Sequence, residues 1–228
     1  MRIRSLALLF AAVALPAFGS ASRAVAAGPS AFVSQFNTQV GQILGDKSLT
    51  PTERRRRFHD LLDQGVDFPS ISKFVLGRHW EGSGGAFQRE FTSVFEDYVV
   101  QALIARLAEY GGDSIDVTGS RAEGEHSTVV STTMVYPSGA PVSRIDWLLR
   151  NTPDGLKIED VNDSGVSLAV FYRDQFATMI SHDGGQVAGL IPEMRQKLSG
   201  PGNYSVAGDA QSHTGTVQSN ARVNEGTP

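Results

Sequence analysis

The chain has 228 residues, of which 40% are apolar and 19% charged; 20 basic and 24 acidic side chains give a formal charge of −4. These proportions fit a globular protein and exclude a wholly disordered chain, a coiled coil and a polytopic membrane protein. The acidic balance argues against nucleic acid as a partner, and the lack of cysteine excludes disulfides, thiolate nucleophiles and Cys-ligated zinc.

Residues 1–27 read as a secretory leader. Arg2 and Arg4 give a positive start, an apolar run follows from Leu6 to Phe18, and Ala24-Val25-Ala26-Ala27 fits a cleavage site after Ala26 or Ala27. The apolar run is too short to cross a bilayer core of about 30 Å. Without Arg2, Arg4 and Arg23 the 20 basic residues fall to 17 against 24 acidic, a charge of −7 for an exported product. Residues 28–200 read as a single domain. Residues 201–228 are mostly small and polar and are expected to form a disordered tail, because they offer too little apolar surface to offset the entropy of ordering.

The first half has helical periodicity. Phe32, Phe36, Val40, Ile43 and Leu44 recur at helical spacing before Gly45. A second helix opens at Thr50-Pro51-Thr52-Glu53, with Thr50 as N-cap and Glu53 as its reciprocal partner, and buries Phe58, Leu61 and Leu62. Arg54 to Arg57 form a charge run, read as a solvated face carrying i,i+4 ion pairs or, alternatively, as a docking patch for an acidic partner. A short helix follows over 69–76, with Asp67 as cap and Gly77 as stop. Gly82-Ser83-Gly84-Gly85 then breaks the chain. It is neither a phosphate loop nor a nucleophile elbow, since the residues that complete those motifs are missing.

The longest predicted helix spans 86–110 and stops at Gly111 and Gly112. Its stripes, Phe87-Phe91-Phe95-Tyr98-Ala102 and Val94-Val99-Leu103-Ile104-Leu107, together exceed one amphipathic face. Such a helix must touch something on more than one side, either protein core or a bound apolar molecule.

The period then changes to two. Ile115 and Val117, then Val130, Thr132 and Met134, then Ile145, Trp147 and Leu149, then Leu156 and Ile158 mark four strands with turns at 137–139 and at Asp154-Gly155. Two more helices follow. One carries Val166, Val170, Phe171 and Met179, the other Val187, Leu190, Ile191, Met194 and Leu198. The predicted fold class is α+β: a curved four-stranded antiparallel sheet with helices packed on one face around an apolar pocket.

Little in the chain points to catalysis. The five histidines have no metal-ligand spacing, no cofactor motif is found, and no serine has a triad context. Strand parity puts Asp160 on the apolar face beside Ile158, where it is read as paired with an Arg such as Arg173, turned outward by a bulge, or acting as a general base.

The run Asp67-Phe68-Pro69-Ser70-Ile71-Ser72-Lys73-Phe74-Val75-Leu76-Gly77-Arg78-His79-Trp80 resembles the signature of the MlaC family. These are periplasmic phospholipid-binding proteins of the Mla lipid-transport system, also called the toluene-tolerance family. The resemblance continues through Phe91 and Phe95-Glu96-Asp97-Tyr98-Val99-Val100, then Val142-Ser143-Arg144-Ile145-Asp146-Trp147. It extends through Ile158-Glu159-Asp160-Val161 and Gly165-Val166-Ser167-Leu168 to Tyr172-Arg173-Asp174-Gln175-Phe176, covering about 32–198. It departs from the family at Gly82–Gly85, in place of a polar helix start, and in the long tail.

The resemblance implies a curved sheet capped by helices around a pocket for acyl chains. It also implies a carrier that exchanges phospholipid between an outer-membrane lipoprotein and porin complex and an inner-membrane ABC-transporter complex of Mla type. Within that frame, periodicity and parity nominate Phe74, Val75, Trp80, Phe91, Phe95, Tyr98, Val99 and Leu103 on helices as lipid-binding. Val130, Met134, Ile145, Trp147 and Leu149 are nominated on the sheet. No head-group charge cluster is expected. The competing readings are a carrier for hopanoids or other apolar lipids, an enzyme on an apolar substrate using Asp160 or Tyr98, and a non-lipid adaptor.

Overall fold

The computed structural model describes residues 28–107, 114–135 and 143–200. The expected leader, the tail, the turn at 137–139 and the stop at Gly111 and Gly112 lie outside the described residues. The helices are α1 (Pro29–Gly45), α2 (Pro51–Gly65), α3 (Phe68–Leu76), α4 (Gly85–Leu107), α5 (Leu168–His182) and α6 (Leu190–Ser199). The strands are β1 (Ser114–Glu123), β2 (Ser127–Val135), β3 (Ser143–Thr152), β4 (Gly155–Asp163) and β5 (Val166–Ser167). The architecture is α+β, with strands in the order β1-β2-β3-β4-β5, every neighbouring pair antiparallel.

Among the described residues the sheet thus has five strands where the sequence suggested four. Val166 belongs to the short fifth strand rather than to the helix after it, and Val187 lies in a 3₁₀ turn ahead of α6. Short-range polar chemistry fixes the helix ends. Thr50 accepts from the Glu53 amide (3.2 Å) while the Glu53 carboxylate accepts from the Thr50 amide (2.9 Å), a complete capping box. Glu53 therefore turns back to Thr50 rather than forward to Arg57. Asp67 caps α3 through the Ser70 amide (3.1 Å). Gly77 ends α3 at φ +51°, a backbone angle that favours glycine; a Cβ there would also come within 3.2 Å of the Arg173 guanidinium, which would have to give way.

The arginine run on α2 is largely used inside the molecule. Arg54 donates to the Asp46 carbonyl, Arg55 reaches Gln101 and Asp97 on α4, and Arg56 pairs with Asp60. At the other end of α2, Lys157 Nζ donates to the Gln64 carbonyl (2.6 Å), placing a cation where the helix dipole is negative.

The helices meet the sheet chiefly at its flanks. α1 packs on β1 and β2; α2, α3 and α5 pack on β4. Residue Val66, between α2 and α3, bridges Ile158 in parallel, and the Asp67 amide donates to the Ile158 carbonyl (2.9 Å). α4 packs mainly on α2, α3 and α6. An aromatic cluster joins α3, α4 and α5. Phe95 packs against Phe68, Phe91, Tyr172 and Phe176, with ring centroids 5.4–6.2 Å apart, distances at which aromatic pairs attract beyond their buried area. Thr50→Ala removes the capping box and is expected to cost about 1 kcal/mol of unfolding free energy, read as a lower urea midpoint at unchanged m-value.

Candidate apolar ligand cavity

Between α4 and the middle of the sheet lies a cleft of about 1230 Å³, counted out to its open mouth. Nine elements among the described residues surround it. α4 contributes Phe95, Val99, Leu103 and Arg106, one face of the helix; β1, β2 and β3 contribute Ile115, Met134, Ser143, Ile145 and Trp147. One flank is α1, with Phe36, Asn37 and Val40. The other is α2, α3, β4 and α5, including Phe58, Leu62, Ile71, Ile158, Val161 and Tyr172. The unusual girth of apolar surface on α4 is thereby accounted for: Phe91, Val94 and Tyr98 are buried, while residues drawn from both predicted stripes face the cleft.

Of the thirteen residues nominated from sequence, Phe95, Val99, Leu103, Met134, Ile145 and Trp147 stand in the cavity wall. The other seven stand elsewhere. Val75, Phe91, Tyr98, Val130 and Leu149 are buried in solid packing. Phe74 faces outward, 41% exposed, with the Arg173 guanidinium 5.0 Å above its ring. Trp80 is partly buried in the turn after α3, and its carbonyl accepts from Ser83 Oγ and Gln88 Nε2, both at 2.7 Å. Periodicity reports which side chains avoid water, not whether they meet protein or a void. The walls supplied by α1, α2, β4 and α5 were not nominated for the same reason: their stripes read as ordinary core.

Most polar atoms near the wall find partners locally; the buried Asn37 Nδ2 on α1 does not. Trp147 Nε1 donates to Thr132 Oγ1 (3.0 Å), which donates to the Ile145 carbonyl (3.1 Å), so the indole presents its ring to the cleft with its N–H satisfied inside the sheet. In β4 the register slips, so that Leu148 faces Asp160 and Leu149 faces Ile158; Glu159 is the extra residue of a bulge. Glu159 pairs with Arg150. Asp160 accepts from Ser167 Oγ (2.5 Å) and from the amides of Val161 (2.8 Å) and Ala169 (3.0 Å). Its partners are thus the start of α5 rather than Arg173, an arrangement favoured by the positive helix N-terminus. The buried Tyr172 hydroxyl has no hydrogen-bond partner, and burial pushes its pKa well above the ordinary phenol range, so it remains neutral. The remaining polar lining groups include Arg106, Ser143 and Asp163. Among the described residues no group of three His, Cys, Asp or Glu side chains is placed to hold a metal.

A fold of this kind, with an apolar cleft between a helix layer and a one-faced sheet, defines a binding protein for apolar molecules. The model of the MlaC protein family matches residues 34–196, and the chain belongs to that family. A solved structure, the phospholipid-binding protein of Ralstonia solanacearum in complex with a phospholipid, is similar with a TM-score of 0.65. The two are 26% identical, and the match covers 76% of this chain and 98% of that one.

The contact between α2 and α4 that holds two cavity walls together contains a buried acid. Glu96 Oε1 lies 3.3 Å from His59 Nε2, and the Glu96 side chain is only 12% exposed. Burial raises its pKa; His59 opposes that rise, and Asp63 and Asp97 add to it. The folded state therefore holds this proton more tightly than the unfolded chain. The resulting stabilisation is complete below the ordinary glutamate range and is lost as pH rises through the elevated value. Glu96→Gln should raise Tm at about pH 7.5, with the gain disappearing by about pH 4; calorimetry at the two values tests this.

Proposed function

We propose that this protein is a periplasmic lipid carrier, delivered there by the leader at 1–27. It holds the acyl chains of a phospholipid in the apolar cleft and moves the lipid between outer-membrane and inner-membrane ABC-transporter complexes of the Mla type. The observation that carries this reading is the cleft, apolar over nearly its whole lining and walled by α4 on one side and β2 and β3 on the other. Family membership and the phospholipid in the related Ralstonia protein support it. No helix among the described residues is long and apolar enough to cross a membrane.

The energetics suit transfer better than storage. Each methylene removed from water contributes about 0.8 kcal/mol, so a chain with about 15 buried groups represents on the order of 12 kcal/mol. A lipid with bare chains does not cross an aqueous compartment at a useful rate. A carrier must replace bilayer contacts with protein contacts of similar quality, because much tighter binding would prevent delivery. Dispersion and burial against Phe95, Val99, Leu103, Met134, Ile145 and Trp147 provide that balance, since they are non-directional and tolerate different chains. This is the work of a binding protein rather than of an enzyme.

The direct test is mass spectrometry of organic extracts of freshly purified protein. Glycerophospholipid at near-stoichiometric yield is expected; hopanoid in its place would redirect the reading to another apolar cargo, and an empty protein would count against carriage. Val99→Glu puts a carboxylate in the wall and should reduce copurified lipid at least about tenfold, because an unpaired charge facing apolar chains costs well over 1.4 kcal/mol. Unchanged lipid content would remove Val99 from the contact surface.

A further inference from the structure

The cleft is not apolar throughout. Strand register brings Ile115, Met134, Ser143 and Asp163 to one end of the sheet, where β1 and β3 begin and β2 and β4 end. The last turn of α4 reaches the same end. There Arg106 Nη2 donates to Asp163 Oδ2 at 2.6 Å, with the two side chains 22% and 20% exposed. The other Asp163 oxygen accepts from Ser143 Oγ (2.9 Å) and Ser164 Oγ (3.0 Å). Arg106 is the one cationic side chain among the described residues of the lining. The neighbouring carboxylates are otherwise committed, Glu159 to Arg150 and Asp160 to the start of α5.

We propose that Arg106 is the head-group residue of this carrier, receiving the phosphate of the bound phospholipid at the rim while the chains run inward past Leu103. The inference rests on the carrier reading and gives it a chemical specificity: a phosphate-bearing lipid rather than a neutral one. The spacing is suitable. Leu103 and Arg106 are separated by about 4.5 Å along the helix, so apolar wall and cation follow each other on one face. A guanidinium matches a phosphate with paired N–H groups and stays charged at every physiological pH. Asp163, fixed by two hydroxyls, orients the guanidinium before the lipid arrives. The same carboxylate also weakens the hold, because an incoming phosphate must share Arg106 with an anion already beside it. A residue that recognises the head group yet releases it meets the requirement for transfer.

The two partners therefore have opposite effects on lipid choice. The test offers lipid-stripped protein equal amounts of dioleoylphosphatidylethanolamine and dioleoylglycerol in mixed micelles, and measures the bound ratio by mass spectrometry. The wild type is expected to favour the phospholipid about tenfold or more, the range of a charge-assisted hydrogen bond. Arg106→Gln should bring the ratio close to one, and Asp163→Asn should raise it above wild type. Circular dichroism and Tm identify a variant that fails to fold. Arg106→Lys, which keeps the charge without the fork, then replaces Arg106→Gln and is expected to give an intermediate ratio. A wild-type ratio near one, an unchanged ratio in the Arg106 variant, or a fall in both variants, as a merely structural ion pair would give, overturns the assignment and leaves carriage standing. Uptake of neither lipid by the wild type overturns the carrier reading itself.

Discussion

The architecture depends on where α4 finds its partners. This helix rests on α2, α3 and α6, while the other helices that touch the sheet do so toward its flanks. The middle of the sheet's inner face, with Ile145 and Trp147, is therefore roofed at a distance by α4, while Phe36 of α1 stands edge-on to Trp147 with ring centroids 6.0 Å apart. Apolar surface left without a neighbour forgoes burial of about 25 cal/mol per Å² and the dispersion contacts of a close-packed interior. The fold tolerates that loss because its stability is concentrated beside the void. The stacked and edge-on rings of Phe91, Phe95, Tyr98, Tyr172 and Phe176 hold α4 to α5, and two of those rings, Phe95 and Tyr172, also form part of the cavity wall.

Polar groups around the cleft are arranged so that the void stays apolar. Buried Thr132 serves both the Trp147 indole and a main-chain carbonyl. The β4 bulge sends Glu159 to Arg150 and Asp160 to the first turn of α5. Each of these takes a donor or acceptor that would otherwise call for water inside. The polar rim at Arg106, Ser143 and Asp163 is separate, gathered at one end by the register of the strands. A cleft with a largely apolar lining and an ion pair at one end has the polarity of an amphipathic guest.

How much of this was legible in the chain follows from the range of each interaction. Helix ends were readable because their determinants lie within a few residues: Thr50 with Glu53, Asp67 with the Ser70 amide, and the left-handed Gly77. The sheet was readable from its period of two. The bulge was legible only as one alternative for Asp160, and its place at Glu159 was not. Ile158 and Val161 are both in the cavity wall and three apart, an odd separation that a regular strand would send to opposite faces. Arg173 was not the partner of Asp160 because the start of α5 takes that carboxylate, and the Arg173 guanidinium lies over Phe74. The cavity itself was legible only as an excess of apolar girth on α4. Phe91 and Phe95 share one stripe with the same chemistry, and only the tertiary arrangement of α2, α3 and α6 puts one in solid core and the other beside space.

The close approach of α1 to α2 bears on that space. Gly65 lies so near Phe36 that a Cβ there would stand 2.6 Å from the ring, and Phe36 is one of the side chains lining the cleft. The missing methyl group at the end of α2 thus sets how far an aromatic ring on α1 stands back from the guest. Internal capacity is set in part from a position that does not itself line the chamber.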